Sequence, residues 1–348
     1  MRARYLSALS RSAGPKGSVP SGRKKVETAL SICRAQGHSM LFRRIAHTIP
    51  VLLLLGSGTA VAQEPVATFK SGVDLVSVTA VVRDKKGKVV RSLDSKDFIV
   101  AEGGQTRKII SIQSDTNAPA SIAFLVDASG SMALGSARQS SRHICDWVLS
   151  TLNKQKDDAA LLSFDTRLIT LREFSGAFDH VRTGLDEIKS WGATSIYDAI
   201  AGTSALVADR ARNRRAVIVL TDGADNWSSY TPQEVAWIAS TIDVPVYVFA
   251  VGDGVNAEAA ASNPKAEYSP LADLARSTGG DFFVANSPAL AVTGISRLVD
   301  ELRHQYLIAF EPSSAQGMRT IEVRTKKANL RVSSRRWYAG GTPTGATD

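Results

Sequence analysis

Three patterns of apolar and polar positions succeed one another along the chain. From 73 to 115, β-branched runs (Val76, Val78 and 80–82; then 98–101; then Ile109, Ile110 and Ile112) are separated by polar turns at 84–88 and Gly103-Gly104. No helical period runs through them, and this spacing predicts a small antiparallel sheet or sandwich. Thr116-Asn117-Ala118-Pro119 reads as a linker. From Ser121 the pattern becomes strand–helix alternation. Apolar runs predict strands at 123–127, 158–164, 216–221, 244–252 and 282–285, with 168–174 as an antiparallel neighbour of 158–164. Between them, residues at helical spacing predict helices over 136–152, 178–188, 196–211, 232–242, 271–278 and 289–303. From 305 the period-two alternation returns, predicting strands at 305–310, 319–326 and 330–337.

Strands alternating with helices imply a mostly parallel sheet covered on its faces. The predicted class is therefore α/β, a doubly wound sheet, flanked by a β-sandwich-like module built from both terminal segments. Neither terminal segment holds enough strands to be stable alone, so the two are expected to share sheets. The boundaries read as an N-terminal β segment over 64–117, the α/β domain over 118–304, a C-terminal β segment over 305–340 and a tail over 341–348.

Charge changes the picture only at the front. The net charge is +9, and residues 1–62 carry ten Lys or Arg against one acid, Glu27. The rest is balanced at 32 of each sign, so the body has no electrostatic footprint for nucleic acid. Arg43-Arg44, the apolar run 49–55 and Ala60-Val61-Ala62 form a secretory signal peptide over 40–62. Residues 1–39 before it read as a misassigned extension or a disordered basic tail. No later stretch is apolar enough for a membrane span, so the expected location is periplasmic or extracellular. Once the leader is removed Cys145 is the remaining cysteine, expected as a buried thiol. The basic cluster Arg210, Arg212, Arg214 and Arg215 reads as a solvated helix end.

Candidate chemistry sits at the carboxyl ends of the predicted strands, where ligands bind in open α/β sheets. The run Ala123-Phe124-Leu125-Val126 ends in Asp127-Ala128-Ser129-Gly130-Ser131. Alone, this triplet suits helix caps as well as a hard cation. A second apolar run ends in Thr221-Asp222-Gly223, and Gly192-Ala193-Thr194-Ser195 forms a loop before a helix. Together Asp127, Ser129, Ser131, Thr194 and Asp222 make an all-oxygen set suited to Mg²⁺ or Mn²⁺. Trp191, Asp225, Asn226 and Trp227 flank these loops as a possible partner-contact rim.

This constellation resembles the von Willebrand factor type A domain and its metal-ion-dependent adhesion site. The resemblance covers about residues 120–304, through Phe-Leu-Val-Asp-Ala-Ser-Gly-Ser-Met, Gly-Ala-Thr-Ser-Ile-Tyr-Asp-Ala-Ile and Val-Leu-Thr-Asp-Gly-Ala-Asp. It implies a Rossmann-like fold, a bound divalent cation and a protein partner that offers a carboxylate to it. The flanks, with Val-Asp-Leu-Val-Ser-Val-Thr-Ala-Val-Val-Arg-Asp and Gln-Tyr-Leu-Ile-Ala-Phe, resemble a secreted bacterial group of the acidobacterial type.

Three readings compete: a secreted cation-dependent binding module, a Mg²⁺-dependent hydrolase, and a purely structural metal. Hydrolases of this architecture need a nucleophile or base beside the metal. Aspartyl phosphatases place a second Asp two residues after the first, and here Ser129 stands there. Gly-x-Ser-x-Gly and Walker-type loops are absent from the sequence, and His143, His180 and His304 stand isolated in helical contexts. The sequence therefore favours binding and no enzyme.

Overall fold

A computed structural model describes residues 75–210, 214–223, 225–252 and 269–340. The proposed extension, signal peptide, tail and first residues of the N-terminal β segment lie outside the described residues, as does Arg212. The terminal β elements are β1 (Val76–Arg83), β2 (Phe98–Glu102), β3 (Gln105–Arg107) and β4 (Ile109–Gln113). The central strands are β5 (Ala120–Asp127), β6 (Asp158–Phe164), β7 (Leu168–Ser175), β8 (Arg214–Thr221), β9 (Val246–Val251) and β10 (Phe282–Ala285). The chain closes with β11 (Tyr306–Phe310), β12 (Gly317–Thr325), β13 (Arg331–Ser334) and β14 (Trp337–Gly340).

The central sheet runs β10-β9-β8-β5-β6-β7 and is parallel except for the β6–β7 hairpin. Its middle strand, β5, is buried at every position. That explains its unbroken apolar run: a parallel strand covered on both faces has no solvent side to alternate toward. Among the described residues six helices cover the faces: α1 (Ala137–Thr151), α2 (Phe178–Glu187), α3 (Ile196–Ala208), α4 (Pro232–Thr241), α5 (Ser269–Ser277) and α6 (Pro288–Arg303). On one face Ile144 and Val148 of α1, Phe178 and Val181 of α2 and Ile295 and Leu298 of α6 pack with Ile122, Phe124 and Val126 of β5. Helices α3, α4 and α5 pack together on the other, so the sheet is doubly wound. Helix α4 starts where its sequence says it should. Thr231 and Glu234 form a reciprocal capping box, and Pro232 occupies the first turn. Cys145 is fully buried in α1, and burial pushes its thiol pKa up.

Two antiparallel sheets form the flanking module, ordered β13-β1-β11-β4 and β14-β12-β2-β3. Each draws two strands from either end of the chain. Their common core is Val78, Ala80, Val82, Phe98, Val100, Tyr306, Ile308, Phe310, Ile321, Val323 and Tyr338. Among the described residues no helix is long and apolar enough to cross a membrane.

Two expectations need correction. The strand expected over 330–337 is two strands in different sheets, because Arg335 turns inward between them. Its buried guanidinium donates to the Ser240 carbonyl at 2.7 Å and to the Ser77 carbonyl, and it pairs with Asp243 at 3.3 Å. The basic cluster is not a solvated helix end. Helix α3 stops at Ala208, and Arg214, buried in β8, donates to the Ala118 carbonyl at 2.8 Å. Arg215 donates to the Ala208 and Ile242 carbonyls at 2.9 and 3.1 Å. These guanidiniums tie strand and helix ends together by satisfying carbonyls that would otherwise lack donors.

Candidate functional site

Three loops meet at the carboxyl edge of the central sheet. The first leaves β5 with Asp127, Ser129 and Ser131 and passes through a single 3₁₀ turn, Gly130–Ala133. The second precedes α3 and carries Thr194; the third leaves β8 with Asp222. Because β5 and β8 are parallel neighbours, with Val126 opposite Leu220, their carboxyl ends finish side by side.

Backbone hydrogen bonds stitch the loops. The Trp191 N–H donates to the Ala128 carbonyl at 2.7 Å, and the Gly130 N–H to the Gly192 carbonyl at 3.3 Å. Gly192 holds φ +88°, a left-handed conformation that suits glycine and turns the chain between these two contacts. The Asn226 and Trp227 N–H groups donate to the Thr194 carbonyl at 3.0 and 3.1 Å. In return the Thr194 N–H donates to the Asn226 side-chain oxygen at 2.9 Å. Asp225 accepts from the Ile196 N–H at 2.9 Å, and so caps α3. The two rim candidates Asp225 and Asn226 therefore clamp the second loop to the third.

The side chains form an oxygen chain from Ser129 through Ser131 to Asp222, with Asp127 joined to it through the Ser129 N–H. Asp127 is 1% exposed; one oxygen accepts from the Ser129 N–H at 2.7 Å and the other from the Thr221 hydroxyl at 2.6 Å. The Ser129 and Ser131 hydroxyls are 3.1 Å apart, and Ser131 Oγ donates to Asp222 Oδ1 at 2.8 Å. Thr194 is buried on the adjoining loop, and its hydroxyl has no hydrogen-bond partner among the described residues. Burial raises the Asp127 carboxyl pKa, against the bonds from Thr221 and Ser129, and the Asp222 charge raises it further. Asp222 is likewise raised by burial, opposed by the Ser131 bond. Burial of both carboxyls makes their ionised forms costly.

Two residues at the site carry no mark in the motif reading. Thr221 orients Asp127; its signal was a lone hydroxyl ending an apolar run. Leu134, 72% exposed, stands three residues beyond Ser131, and its N–H donates to the Ser131 carbonyl at 2.9 Å. Trp191 and Trp227 are 81% and 65% exposed, so neither packs into the core.

Residues 122–224 match the family model of the von Willebrand factor type A domain. Comparison with curated proteins gave no match. Similar solved structures include the conserved hypothetical protein BatB from Bacteroides thetaiotaomicron, at 18% identity and a TM-score of 0.42, covering 52% of this chain and 98% of that one. A von Willebrand factor type A protein from Catenulispora acidiphila is 11% identical, with a TM-score of 0.44 and coverage of 79% and 76%. Proximal thread matrix protein 1 from the mussel byssus, with a zinc-occupied MIDAS motif, is 20% identical, with a TM-score of 0.45 and coverage of 57% and 49%.

Proposed function

We propose, taking residues 122–224 as a von Willebrand factor type A domain, that the chain is a binding protein and not an enzyme. In this reading Asp127, Ser129, Ser131, Thr194 and Asp222 hold a divalent cation, Mg²⁺ or Mn²⁺, at a metal-ion-dependent adhesion site. The observation that carries it is the oxygen chain itself. Ser129, Ser131 and Asp222 are linked side chain to side chain, Asp127 is held to the same turn by the Ser129 N–H, and the buried Thr194 is stitched beside them. Hard oxygens of this kind suit Mg²⁺, which keeps part of its water shell when few carboxylates bind it.

Asp127 and Asp222 supply the negative charge. Thr221 and the Ser129 N–H fix the Asp127 oxygens in place. When bound, the cation supplies an electrophilic position open to an outside anion, and a carboxylate of a protein partner is the fitting donor. Export to the periplasm or beyond belongs to the same reading and rests on the leader motif at 40–62. The test is retention of envelope proteins on the immobilised chain in Mg²⁺ and in EDTA, beside an Asp127→Ala control. Retention that needs both Mg²⁺ and Asp127 supports the reading; retention indifferent to both contradicts it.

A further inference from the structure

The large apolar side chains exposed among the described residues are not spread evenly. The three most exposed are Trp191 at 81%, Leu134 at 72% and Trp227 at 65%; the next, Leu75, is 47%. Single exposed apolar residues are ordinary, but a cluster of large ones marks an interaction surface. These three stand one on each of the three loops that carry the candidate ligands. Each backbone is pinned to a site loop: Leu134 to Ser131, Trp191 to Ala128 and Trp227 to Thr194, at 2.9, 2.7 and 3.1 Å. Their exposure is thus a built feature of the site's mouth.

The charges around this mouth are mixed: the cavity lined by Asp127, Ala133 and Ser190 also holds Arg138 and Arg142. Besides Asp127 and Asp222, Asp225 caps α3 from the third loop. Asp165, on the β6–β7 turn, accepts the Ser195 N–H through its carbonyl at 2.9 Å, which places it beside the Thr194 loop. A partner carboxylate satisfies the cation, and apolar neighbours on either side of it meet the three exposed apolar side chains.

We propose that Leu134, Trp191 and Trp227 form an apolar collar that seats a protein segment carrying a carboxylate between large apolar side chains. This rests on the cation reading above and adds the partner's chemistry to it. The carboxylate sets metal dependence, and the collar sets sequence preference. Trp is the residue type that most often dominates interface energies, and both Trp side chains are available here without refolding.

The experiment uses the full exported chain and three labelled peptides: Gly-Leu-Asp-Phe-Gly, Gly-Gly-Asp-Gly-Gly and Gly-Leu-Asn-Phe-Gly, with blocked ends. Fluorescence anisotropy in saturating Mg²⁺ is expected to show the Leu-Asp-Phe peptide binding about tenfold tighter than either control. The Trp191→Ala/Trp227→Ala double variant should lose that preference while its calorimetric Mg²⁺ affinity stays as in wild type. Both side chains are exposed, so circular dichroism should report an unchanged fold. Equal binding of the first two peptides, or a preference that survives in the double variant, overturns the collar and leaves the cation reading standing. Collar-dependent binding to phosphatidylcholine vesicles, without peptide preference, overturns it in favour of a membrane surface. Absence of any Mg²⁺ heat in wild type overturns the cation reading and the collar proposal together.

Discussion

Asp127 and Asp222 are two carboxyls that burial holds above the usual carboxylate range, and that has a consequence for stability. A carboxyl whose folded pKa lies above its unfolded value near 3.8 contributes its stability in full below that value. The contribution is lost as pH rises through the folded pKa, because the ionised form is then the costly one. A bound cation reverses the sign by pairing with the ionised form. In EDTA, raising the pH from about 4 to 7 is therefore expected to favour Asp127→Asn over wild type in thermal unfolding. Saturating Mg²⁺ should restore the wild type and leave the variant where it was. A wild-type Tm that gains on the variant with pH in EDTA contradicts this account of Asp127. At the same scale, the motif residues were legible because their spacing is local: three oxygens at alternate positions after one strand. Thr221 was not, since a lone hydroxyl before Asp222 gains meaning only when β5 and β8 are known to be neighbours.

At the scale of elements, the strand–helix alternation was legible because burial on both faces writes itself into β5, β8 and β9 as unbroken apolar runs. Strand pairing in the flanking module was legible only in outline. Val78 pairs with Ile308, and Val323 with Val100, across more than two hundred residues, which no local pattern encodes. The split at Arg335 was hidden for the same reason: its partners Ser77, Ser240 and Asp243 come from two distant segments. Glu102 joins the ends of the chain chemically. Its fully buried carboxylate accepts from Tyr338 and Ser313, pairs with Arg319 at 3.0 Å and pairs with Arg107 at 2.6 Å. Burial works to raise its pKa, but the bonds from Tyr338, Ser313 and Arg319 outweigh it and bring it down to about 2. Here the sign is the ordinary one for a carboxylate: stability is present above 4.5 and lost as pH falls through about 2. Glu102→Gln is expected to cost about 2–4 kcal/mol in urea unfolding at neutral pH, and to flatten the acid limb of the wild-type profile. A loss below about 0.5 kcal/mol would mean that the apolar core alone holds the two terminal segments together.

Across the whole molecule, the flanking module cannot close until the α/β domain between its halves has been made. The two parts have separate apolar cores, and polar contacts help to join them: Arg83 with Glu301, Arg335 with Asp243, and the Arg336 N–H on the Ser277 carbonyl at 2.9 Å. Burial raises the Glu301 carboxyl to about 7 in spite of Arg83, so this junction carries a group poised near neutrality. The candidate metal site lies at the carboxyl edge of the sheet, framed by apolar strands that need no cation to pack. Site and scaffold should therefore be separable, and calorimetric titration of Mg²⁺ into wild type and Asp127→Ala tests this most directly. One Mg²⁺ per wild-type chain, no measurable heat in the variant and a cooperative unfolding transition in both are expected. Equal Mg²⁺ affinity in the two proteins would contradict the cation reading.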